Sequence, residues 1–376
     1  MSDIPLVDVG ARIAEVEGPI RDALDRVLRS GRFILGPEVA GLEQEVAELC
    51  GTTYGVGVSS GSDALLVAMM ALDVGEGDEV VTTPMSFFAS VGSILRLGAR
   101  PVFADIDPKT FNLDPAKAAE RVTFGTKAIE AVHLFGQCAD VEPMISAAES
   151  VGAVVIEDAA QAIGSSRDGR PAGAWGVAGC LSFFPTKNLG GLGDGGMVLT
   201  SNTDLADRIR ILRAHGARPK YFHHHVGGNF RLDEIQAAAL RVMLKHLDRW
   251  NDGRRANADR YDRLLAEAGL IDRGIVVPPP RVVGGVHIFH QYVIRVTRDR
   301  DALRDHLSSQ GIATGVYYPV CLHLQPCLVE LGYREGDFPE AERAAREVLA
   351  LPIYPELTPA QQERVVSGIA DYFDAS

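Results

Sequence analysis

The sequence has few of the features that mark membrane-spanning, disulfide-rich or nucleic-acid-binding proteins. Its five cysteines are scattered and show no CxxC spacing, so neither a disulfide framework nor a cysteine-based zinc site is indicated. No run of about 18 apolar residues is present, so no membrane-spanning helix is expected. There is no long basic run, and the net charge of −13 argues against nucleic acid as the main partner.

The N-terminal residues also lack a basic start followed by an apolar stretch. No signal peptide is therefore expected, and we interpret the protein as cytoplasmic. The acidic composition does not exclude an anionic small ligand, because a phosphate site is a local arrangement of backbone N–H groups. The chain is 46% hydrophobic and 23% charged, as in ordinary globular proteins, and its 376 residues favour two domains.

Short apolar runs alternate with helical patterns in the first half of the chain. This alternation predicts an α/β fold with a mostly parallel central sheet and helices on both faces. The last two predicted strands are so close in sequence that one antiparallel strand is expected. The predicted strands are Tyr54–Ser59, Glu79–Thr83, Arg100–Asp105, Ala128–Leu134, Ala153–Glu157, Gly179–Phe184 and Gly196–Thr200.

The second part of the chain has a different pattern. A long helix without Gly or Pro is predicted from Leu232 to Trp250, and a Pro/Gly-rich passage follows at Val277–Gly285. Strand and helix patterns beyond it have α+β character. We therefore predict a large domain with an N-terminal arm at residues 1–250 and a smaller α+β C-terminal domain at residues 251–376.

An unusual lysine lies in the segment between the last two predicted strands. Lys187 follows an apolar strand and precedes a run of glycines, which let a ligand approach closely and permit positive φ. A desolvated lysine has a lowered pKa and can attack a carbonyl carbon. A surface lysine in a flexible loop has the same pattern, so this segment alone leaves both interpretations open.

A carboxylate ends the strand that begins at Ala153. Open α/β sheets bind ligands outside the carboxyl ends of their strands, which is where Asp158 is predicted to lie. A carboxylate there can hold a pyridinium N–H. Capping of a following helix is the alternative for Asp158.

Small residues separate the first predicted strand from its helix. Ser59-Ser60-Gly61-Ser62-Asp63 has the position in which helix N-terminal amides bind phosphate, and the small side chains give an anion access. Simple N-capping by Ser62 is the alternative.

Three adjacent histidines, His223, His224 and His225, form a conspicuous cluster. Adjacent residues rarely converge on one ion, and no carboxylate partner is apparent near them. We therefore predict no metal site.

In this order, the segments resemble the sugar aminotransferases of the DegT/StrS type, which have the aspartate aminotransferase-like fold (fold type I). The resemblance covers essentially the whole chain, and it implies pyridoxal 5'-phosphate (PLP) as the cofactor and a homodimer with shared active sites. The segments that carry it are SSGSDAL, MSFFAS, HLFGQ, EDAAQAIG, SFFPTKNLGGLGDGG, GGNFRLDEIQAA and YYPVCLHLQP.

The resemblance implies catalytic and ring-binding roles for three residues. Lys187 would hold the cofactor as a Schiff base and then move a proton between the cofactor carbon and the substrate carbon. Asp158 would pair with the pyridine nitrogen of the cofactor. Gln161 would contact the phenolic oxygen of the ring.

Four further positions match the family around the phosphate and the ring face. The backbone amides of Gly61 and Ser62, with the hydroxyl of Ser182, would hold the phosphate. Phe87 would stack on the pyridine ring. Phe88 is the alternative stacking residue, and either ring could instead belong to the core.

The resemblance also assigns residues to the partner subunit and the sugar. Asn229 would reach the phosphate of the neighbouring subunit's cofactor, with a turn before a helix as the alternative. His133, Tyr318 and His323 lie in segments that surround the sugar nucleotide in the family. Tyr317 adjoins Tyr318, and the sequence does not decide which of the two faces the site.

The implied function is transfer of an amino group from L-glutamate to a keto-sugar linked to UDP or TDP, with a 3-keto sugar favoured. Such a reaction serves the biosynthesis of surface polysaccharide, including lipopolysaccharide, or of glycosylated metabolites. A PLP-dependent sugar dehydratase is one alternative, but members of that branch carry His at the position of Lys187. A regulatory protein without turnover is the other, and the complete set of Lys187, Asp158, Gln161 and Ser182 argues against it.

Overall fold

The computed structural model describes residues 3–375 of the chain. The strands in this range form one sheet of seven strands and two sheets of three short strands. In chain order they are β1 (Tyr54–Val58), β2 (Glu79–Thr82), β3 (Arg100–Phe103), β4 (Thr126–Val132), β5 (Val154–Asp158), β6 (Ser166–Arg167), β7 (Arg170–Pro171), β8 (Ala178–Ser182), β9 (Gly196–Thr200), β10 (Val276–Val277), β11 (Gly285–Val286), β12 (Tyr292–Val296) and β13 (Val348–Leu351).

Helices cover these sheets, and none within residues 3–375 is long and apolar enough to cross a bilayer. Three short 3-10 segments, Leu134–Gly136, Leu322–Leu324 and Pro326–Leu331, lie between them. The α-helices are α1 (Val9–Ser30), α2 (Pro37–Leu49), α3 (Gly61–Ala71), α4 (Phe88–Arg96), α5 (Pro115–Arg121), α6 (Glu142–Glu149), α7 (Thr203–Leu212), α8 (Glu234–Leu244), α9 (Leu247–Glu267), α10 (Arg300–Ser309), α11 (Pro339–Glu347) and α12 (Pro359–Ala375).

The large sheet has the strand order β1-β9-β8-β5-β4-β2-β3. From β8 to β3 the neighbouring strands are parallel, whereas β9 runs antiparallel to both β8 and β1. The predicted α/β fold, its mostly parallel sheet and its antiparallel strand are therefore confirmed. Each of the seven strands predicted for this sheet is present.

Both faces of the large sheet are buried because its strands are apolar at successive positions. Adjacent strand residues point to opposite faces, so Val155 and Ile156 of β5 pack into different core clusters. Ile156 packs with residues of α3, such as Ala68, and Val155 packs with residues of α6, such as Ala148. The same alternation carries the next two residues, Glu157 and Asp158, to opposite faces.

The C-terminal part contains a second core around the sheet β10-β12-β13. Tyr261 of α9 and Ile369 of α12 belong to this core, and so does Ile4 from the start of the chain. Helix α9 runs without interruption through residue 250, where one domain was predicted to end. The division into domains at that point stays a prediction.

The single helix predicted from Leu232 to Trp250 is wrong. The structure has two helices there, and α8 ends before Lys245 while α9 begins at Leu247. Tertiary contacts explain the break: Leu247 and Trp250 are buried in the core, and the indole N–H of Trp250 donates to Glu15 of α1 at 3.1 Å. No Gly or Pro marks this position, so the local sequence does not predict it.

Candidate active site

A cavity of about 470 Å³ opens at the carboxyl ends of β4, β5 and β8. Asp158 and Ser182 end two of these strands and line the cavity, as does the first turn of α3 at residues 60–62. Open α/β sheets bind their ligands at this edge because crossover connections leave a crevice there. The C-terminal part closes one side with His290, Gln291, Tyr317 and Tyr318.

Lys187 lies on the connection between β8 and β9, and its side chain lines the cavity. Burial lowers the pKa of Lys187 to about 8, and the negative charge of Asp158 opposes that shift. The amine therefore loses its proton far more readily near neutral pH than an ordinary lysine does, as a nucleophile or base requires.

The glycines after Lys187 allow its loop to fold back tightly. The amide of Lys187 donates to the Phe184 carbonyl at 2.8 Å, and that of Gly191 donates to the Phe183 carbonyl at 2.7 Å. A side chain at Gly190 would collide with the carbonyl oxygen of Pro185. The loop is thus closed by its own backbone.

Asp158 is buried, and both of its carboxylate oxygens are fixed by hydrogen bonds. Oδ2 accepts from the Ser90 hydroxyl at 2.9 Å, and Oδ1 accepts from the Ala160 amide at 3.1 Å. A second hydroxyl, that of Ser86, lies 2.8 Å from Ser90 Oγ. No α-helix follows β5 directly in the described chain, so Asp158 does not cap one.

Gln161 is held at both ends of its amide. Its Oε1 accepts from the Phe135 amide at 2.8 Å, and its Nε2 donates to the Tyr318 hydroxyl at 3.1 Å. Burial raises the pKa of Tyr318 above its usual value, which keeps the phenol protonated. This contact links the large sheet to the C-terminal part across the cavity.

The first turn of α3 forms a small cradle with the end of β8. The N-cap is Ser60, whose hydroxyl accepts from the Asp63 amide at 3.0 Å, and not Ser62 as the sequence suggested. First-turn amides such as those of Gly61 and Ser62 have no intrahelical acceptor. A Cβ at Gly61 would lie 2.6 Å from Ser182 Cβ, so only glycine leaves room here.

The cavity lining distinguishes Phe87 from Phe88, but it does not distinguish Tyr317 from Tyr318. Phe87 lines it with a side chain that is 58% exposed, while Phe88 packs over Gly92 and does not line it. The ring centroids of Phe87 and Tyr318 are 6.3 Å apart. Both Tyr317 and Tyr318 line the cavity.

The imidazole rings of two predicted sugar contacts already form hydrogen bonds within the protein. His133 borders the cavity, but its Nε2 lies 2.7 Å from Glu157 and its Nδ1 accepts from the Ala139 amide, which requires a neutral ring. His323 is buried away from the cavity lining, with its Nε2 3.1 Å from Glu342.

Asn229 is exposed and does not line the cavity of its own chain. Its backbone forms a bridge with Ala214, and apolar side chains at Tyr221, Phe222 and Val226 are exposed in the same loop. No cluster of three or more potential metal ligands occurs in the described part of the chain.

Residues that the sequence did not single out complete the site. Ser86 and Ser90 belong to the quoted segment MSFFAS, and their spacing of four predicts one helical face. Glu130 is fully buried on β4, where Thr82 donates to it at 2.9 Å. Burial, and then the charge of Asp158, raises the pKa of Glu130 to about 8. The sequence signal for Glu130 was an acidic residue inside an otherwise apolar strand.

The chain matches the model of the DegT/DnrJ/EryC1/StrS aminotransferase family over residues 15–370. It is 52% identical to a pleiotropic regulatory protein of Geobacillus stearothermophilus, with 99% of each chain covered. It is 42% identical to the dTDP-3-amino-3,4,6-trideoxy-alpha-D-glucose transaminase of Streptomyces venezuelae, covering 98% of this chain and 96% of the relative.

A solved structure, ntda of Bacillus subtilis with bound cofactor PMP, superposes with a TM-score of 0.93 at 33% identity. The superposition covers all of this chain and 86% of that one. The family model and the transaminase relative both match nearly the whole chain. This chain belongs to the DegT/DnrJ/EryC1/StrS aminotransferase family.

Proposed function

We propose that this protein is a PLP-dependent aminotransferase that transfers the amino group of L-glutamate to a keto-sugar carried by UDP or TDP. The observation that carries the proposal is the half-buried Lys187, with a pKa of about 8, facing the same cavity as Asp158. The S. venezuelae relative, named for a 3-amino sugar, supports a 3-keto substrate. Surface polysaccharide, lipopolysaccharide or glycosylated-metabolite synthesis in the cytoplasm is the setting we propose.

The residues fit the phosphate end of the cofactor. The amides of Gly61 and Ser62 and the hydroxyl of Ser182 would bind the phosphate, because all three residues line the cavity and the glycine lets the first turn of α3 lie close to Ser182. The positive end of the α3 helix dipole adds to this attraction. Phe87 would cover one face of the ring.

The residues also fit the ring end. Asp158 would hold the pyridine nitrogen, Gln161 the phenolic oxygen, and Lys187 the carbonyl carbon. When bound, the cofactor supplies an electron sink for the carbon that gains or loses the amino group.

Two groups of the protein then have distinct tasks: Lys187 moves a proton, and Asp158 provides a fixed negative charge. Lys187 takes a proton from the substrate carbon as a neutral amine and returns it as an ammonium, which its lowered pKa permits near neutral pH. Asp158 stays fixed by Ser90 and Ala160 during both half-reactions. Glu130, kept protonated by burial, leaves Asp158 as the negative charge at this strand end.

The charge balance of the cavity supports a site shared between two subunits. Among the described residues that line it, Lys187 is the only lysine or arginine, against Asp158 and Asp194. L-glutamate and a nucleotide diphosphate are both anionic, so further cations or donors must come from outside this chain. We propose a homodimer in which Asn229 reaches the phosphate in the partner subunit's site.

The most detailed part of the proposal concerns which residues contact the sugar nucleotide. Tyr318 borders the cavity with its hydroxyl bonded to Gln161, so it is the residue best placed to contact the sugar nucleotide. The sugar contacts of His133 and His323 stay predictions, because both rings are bonded to buried carboxylates in this chain.

Hybrid dimers test the shared site. Lys187→Ala and Asn229→Asp homodimers should both be poor enzymes, since the first lacks the amine and the second places a carboxylate against the phosphate. After subunit exchange, half of the dimers are hybrids and half of their sites are intact. About a quarter of wild-type activity should therefore return. No recovery after exchange proven with a tag difference would contradict the shared site.

A regulatory protein without turnover is the second candidate, because the G. stearothermophilus relative carries that name. The purified protein should absorb in the visible, change its spectrum when L-glutamate is added, and release the 2-oxo acid. UDP- and TDP-linked 3-keto and 4-keto sugars should then be screened as acceptors. A protein that binds cofactor but converts no substrate would favour the regulatory function.

A further inference from the structure

A buried arginine lies behind the loop that carries Lys187. Arg12 belongs to α1, far away in sequence, and its side chain is almost inaccessible to solvent. Its Nη2 donates to the Pro185 carbonyl at 2.6 Å, and its Nη1 donates to the Lys187 carbonyl at 2.6 Å and to that of Asn188 at 3.4 Å. The guanidinium thus contacts three carbonyls of one short loop.

These three carbonyls lack the partners that regular structure would supply. Within residues 3–375, no backbone amide donates to the carbonyl of Pro185, Lys187 or Asn188. Buried carbonyls require donors, and a forked guanidinium presents several in one plane. Arg12 therefore supplies the hydrogen-bond donors that a neighbouring strand would supply to these carbonyls in a sheet.

The charge of Arg12 is not explained by an ion pair. In the part of the chain that the structure describes, the hydrogen bonds of its guanidinium all go to backbone carbonyls, and its Nε has no acceptor. Burial lowers the pKa of Arg12, and Glu356 opposes this shift only through space. The Trp250 ring, 5.7 Å from the guanidinium carbon, is its other neighbour. A buried charge without a paired carboxylate is costly, so its contacts to the loop are its compensation.

The loop has a second attachment through the side chain of Asn188. Its Nδ2 donates to Asn251 Oδ1 at 2.7 Å, and its Oδ1 lies 3.1 Å from His290 Nδ1. Asn188 therefore ties the loop to α9 and to the cavity wall, whereas Arg12 contacts the peptide groups on either side of Lys187. The Phe184 carbonyl holds the amide of Lys187 from within the loop, and Arg12 holds the carbonyl of Lys187 from outside it.

We propose that Arg12 is a positioning residue for Lys187: by holding the carbonyls of Pro185, Lys187 and Asn188, it fixes the direction in which the lysine side chain enters the cavity. The inference rests on the proposed aminotransferase function. Proton transfer requires a defined approach of the amine to carbon, and a shift of about 1 Å costs about 100-fold in rate. Arg12 does not contact the reacting atoms.

The test compares Arg12→Met and Arg12→Lys with Arg300→Lys. Arg300 is the matched control because its Nη1 also donates to two backbone carbonyls, those of Ala345 and Val348, in a region that does not line the cavity. We expect Arg12→Met to lower kcat about 100-fold while KM for the keto-sugar changes little. Arg12→Lys, which keeps a donor but not the fork, should recover part of kcat.

A second measurement does not depend on turnover. In cofactor-free protein, amide hydrogen exchange of the 184–191 segment should be faster in both Arg12 variants than in wild type, and unchanged in Arg300→Lys. If Arg12→Met does not fold, Arg12→Lys carries both measurements. Unchanged exchange in this segment, or a kcat loss no larger than that of Arg300→Lys, would overturn the inference. Absence of transamination in the wild type would instead sink the proposed function and leave the exchange result standing.

Discussion

Glu157 and Asp158 are neighbours at the end of β5, but they differ in what their carboxylates contact. Glu157 is fully buried and accepts from three backbone amides in the 173–176 turn, and its Oε2 also lies 2.7 Å from His133. Asp158 accepts from Ser90 and from one amide, and it borders the cavity.

The carboxylate of Glu157 therefore stabilises the fold, whereas that of Asp158 is available to a ligand. Four donors converge on the two oxygens of Glu157, so its charge is compensated inside the protein. Asp158 is less completely satisfied and faces open volume. Strand alternation alone sends the two residues to opposite faces, and the surroundings of each face decide its role.

The largest effect is expected on the cavity side, at Lys187. Lys187→Ala should lower turnover about 10⁴-fold or more, because the proton-transferring group is gone. The variant should still bind cofactor, since the contacts of Asp158 and the α3 cradle do not depend on the amine. Borohydride treatment followed by mass spectrometry should find no cofactor fixed to the protein. Labelling at another lysine would show that the wrong residue was chosen.

Removing the Lys187 amine should lower activity but raise the stability of the cofactor-free protein. Burial lowers the pKa of Lys187 from 10.5 to about 8, so the unfolded chain binds this proton more tightly than the native protein. The cost to stability is full below pH 8 and vanishes above pH 10.5. Cofactor-free Lys187→Met should therefore have a higher Tm than wild type at pH 7, with the difference disappearing at pH 11. A constant difference across this range would contradict the assigned pKa.

Asp158→Asn should cost several orders of magnitude in kcat with little loss of stability. A neutral amide cannot stabilise a protonated pyridine nitrogen, but it keeps an acceptor for the Ala160 amide, and the Ser90 hydroxyl can reverse its hydrogen bond. The free energy of unfolding in urea should change by no more than about 1 kcal/mol. Near wild-type activity in a folded variant would remove Asp158 from the proposed mechanism.

Glu157→Gln should show the reverse pattern. An amide NH₂ would be forced against backbone donors in the 173–176 turn, so the free energy of unfolding should fall by about 3 kcal/mol. The folded fraction should keep kcat within about tenfold of wild type, because Glu157 does not line the cavity. A kcat loss as large as that of Asp158→Asn would erase the distinction between the two carboxylates.

For Glu130→Gln, the expected effect is on the pH dependence of stability. Burial and Asp158 raise the pKa of Glu130 from 4.5 to about 8, so the native protein holds this proton over a range in which the unfolded chain has lost it. Wild-type stability should therefore fall between pH 4.5 and 8, and the variant should lack this contribution. Urea unfolding at several pH values measures the difference. If the free energy of unfolding depends on pH in the same way in wild type and variant, Glu130 is ionised in the native protein.

The sequence predicted the parts of the site that follow from local pattern. Lys187 and Asp158 were recognised because an apolar strand ends beside each, and the α3 cradle because small residues join a strand to a helix. Arg12 was missed, since its contacts join residues more than 170 positions apart. The environment of His133 was also missed, because its pairing with Glu157 depends on the register of β4 and β5. Long-range register is not encoded in a short motif.

The position of β9 has a consequence for how the protein is synthesised. This strand lies between β1 and β8, so it joins the two halves of the cradle, Gly61 after β1 and Ser182 at the end of β8. It is also the last strand of the large sheet to leave the ribosome. A nascent chain that ends before Gly196 has both halves of the cradle but lacks the strand that pairs with β1 and β8. We therefore expect a chain to bind the cofactor only after its central sheet has been completed.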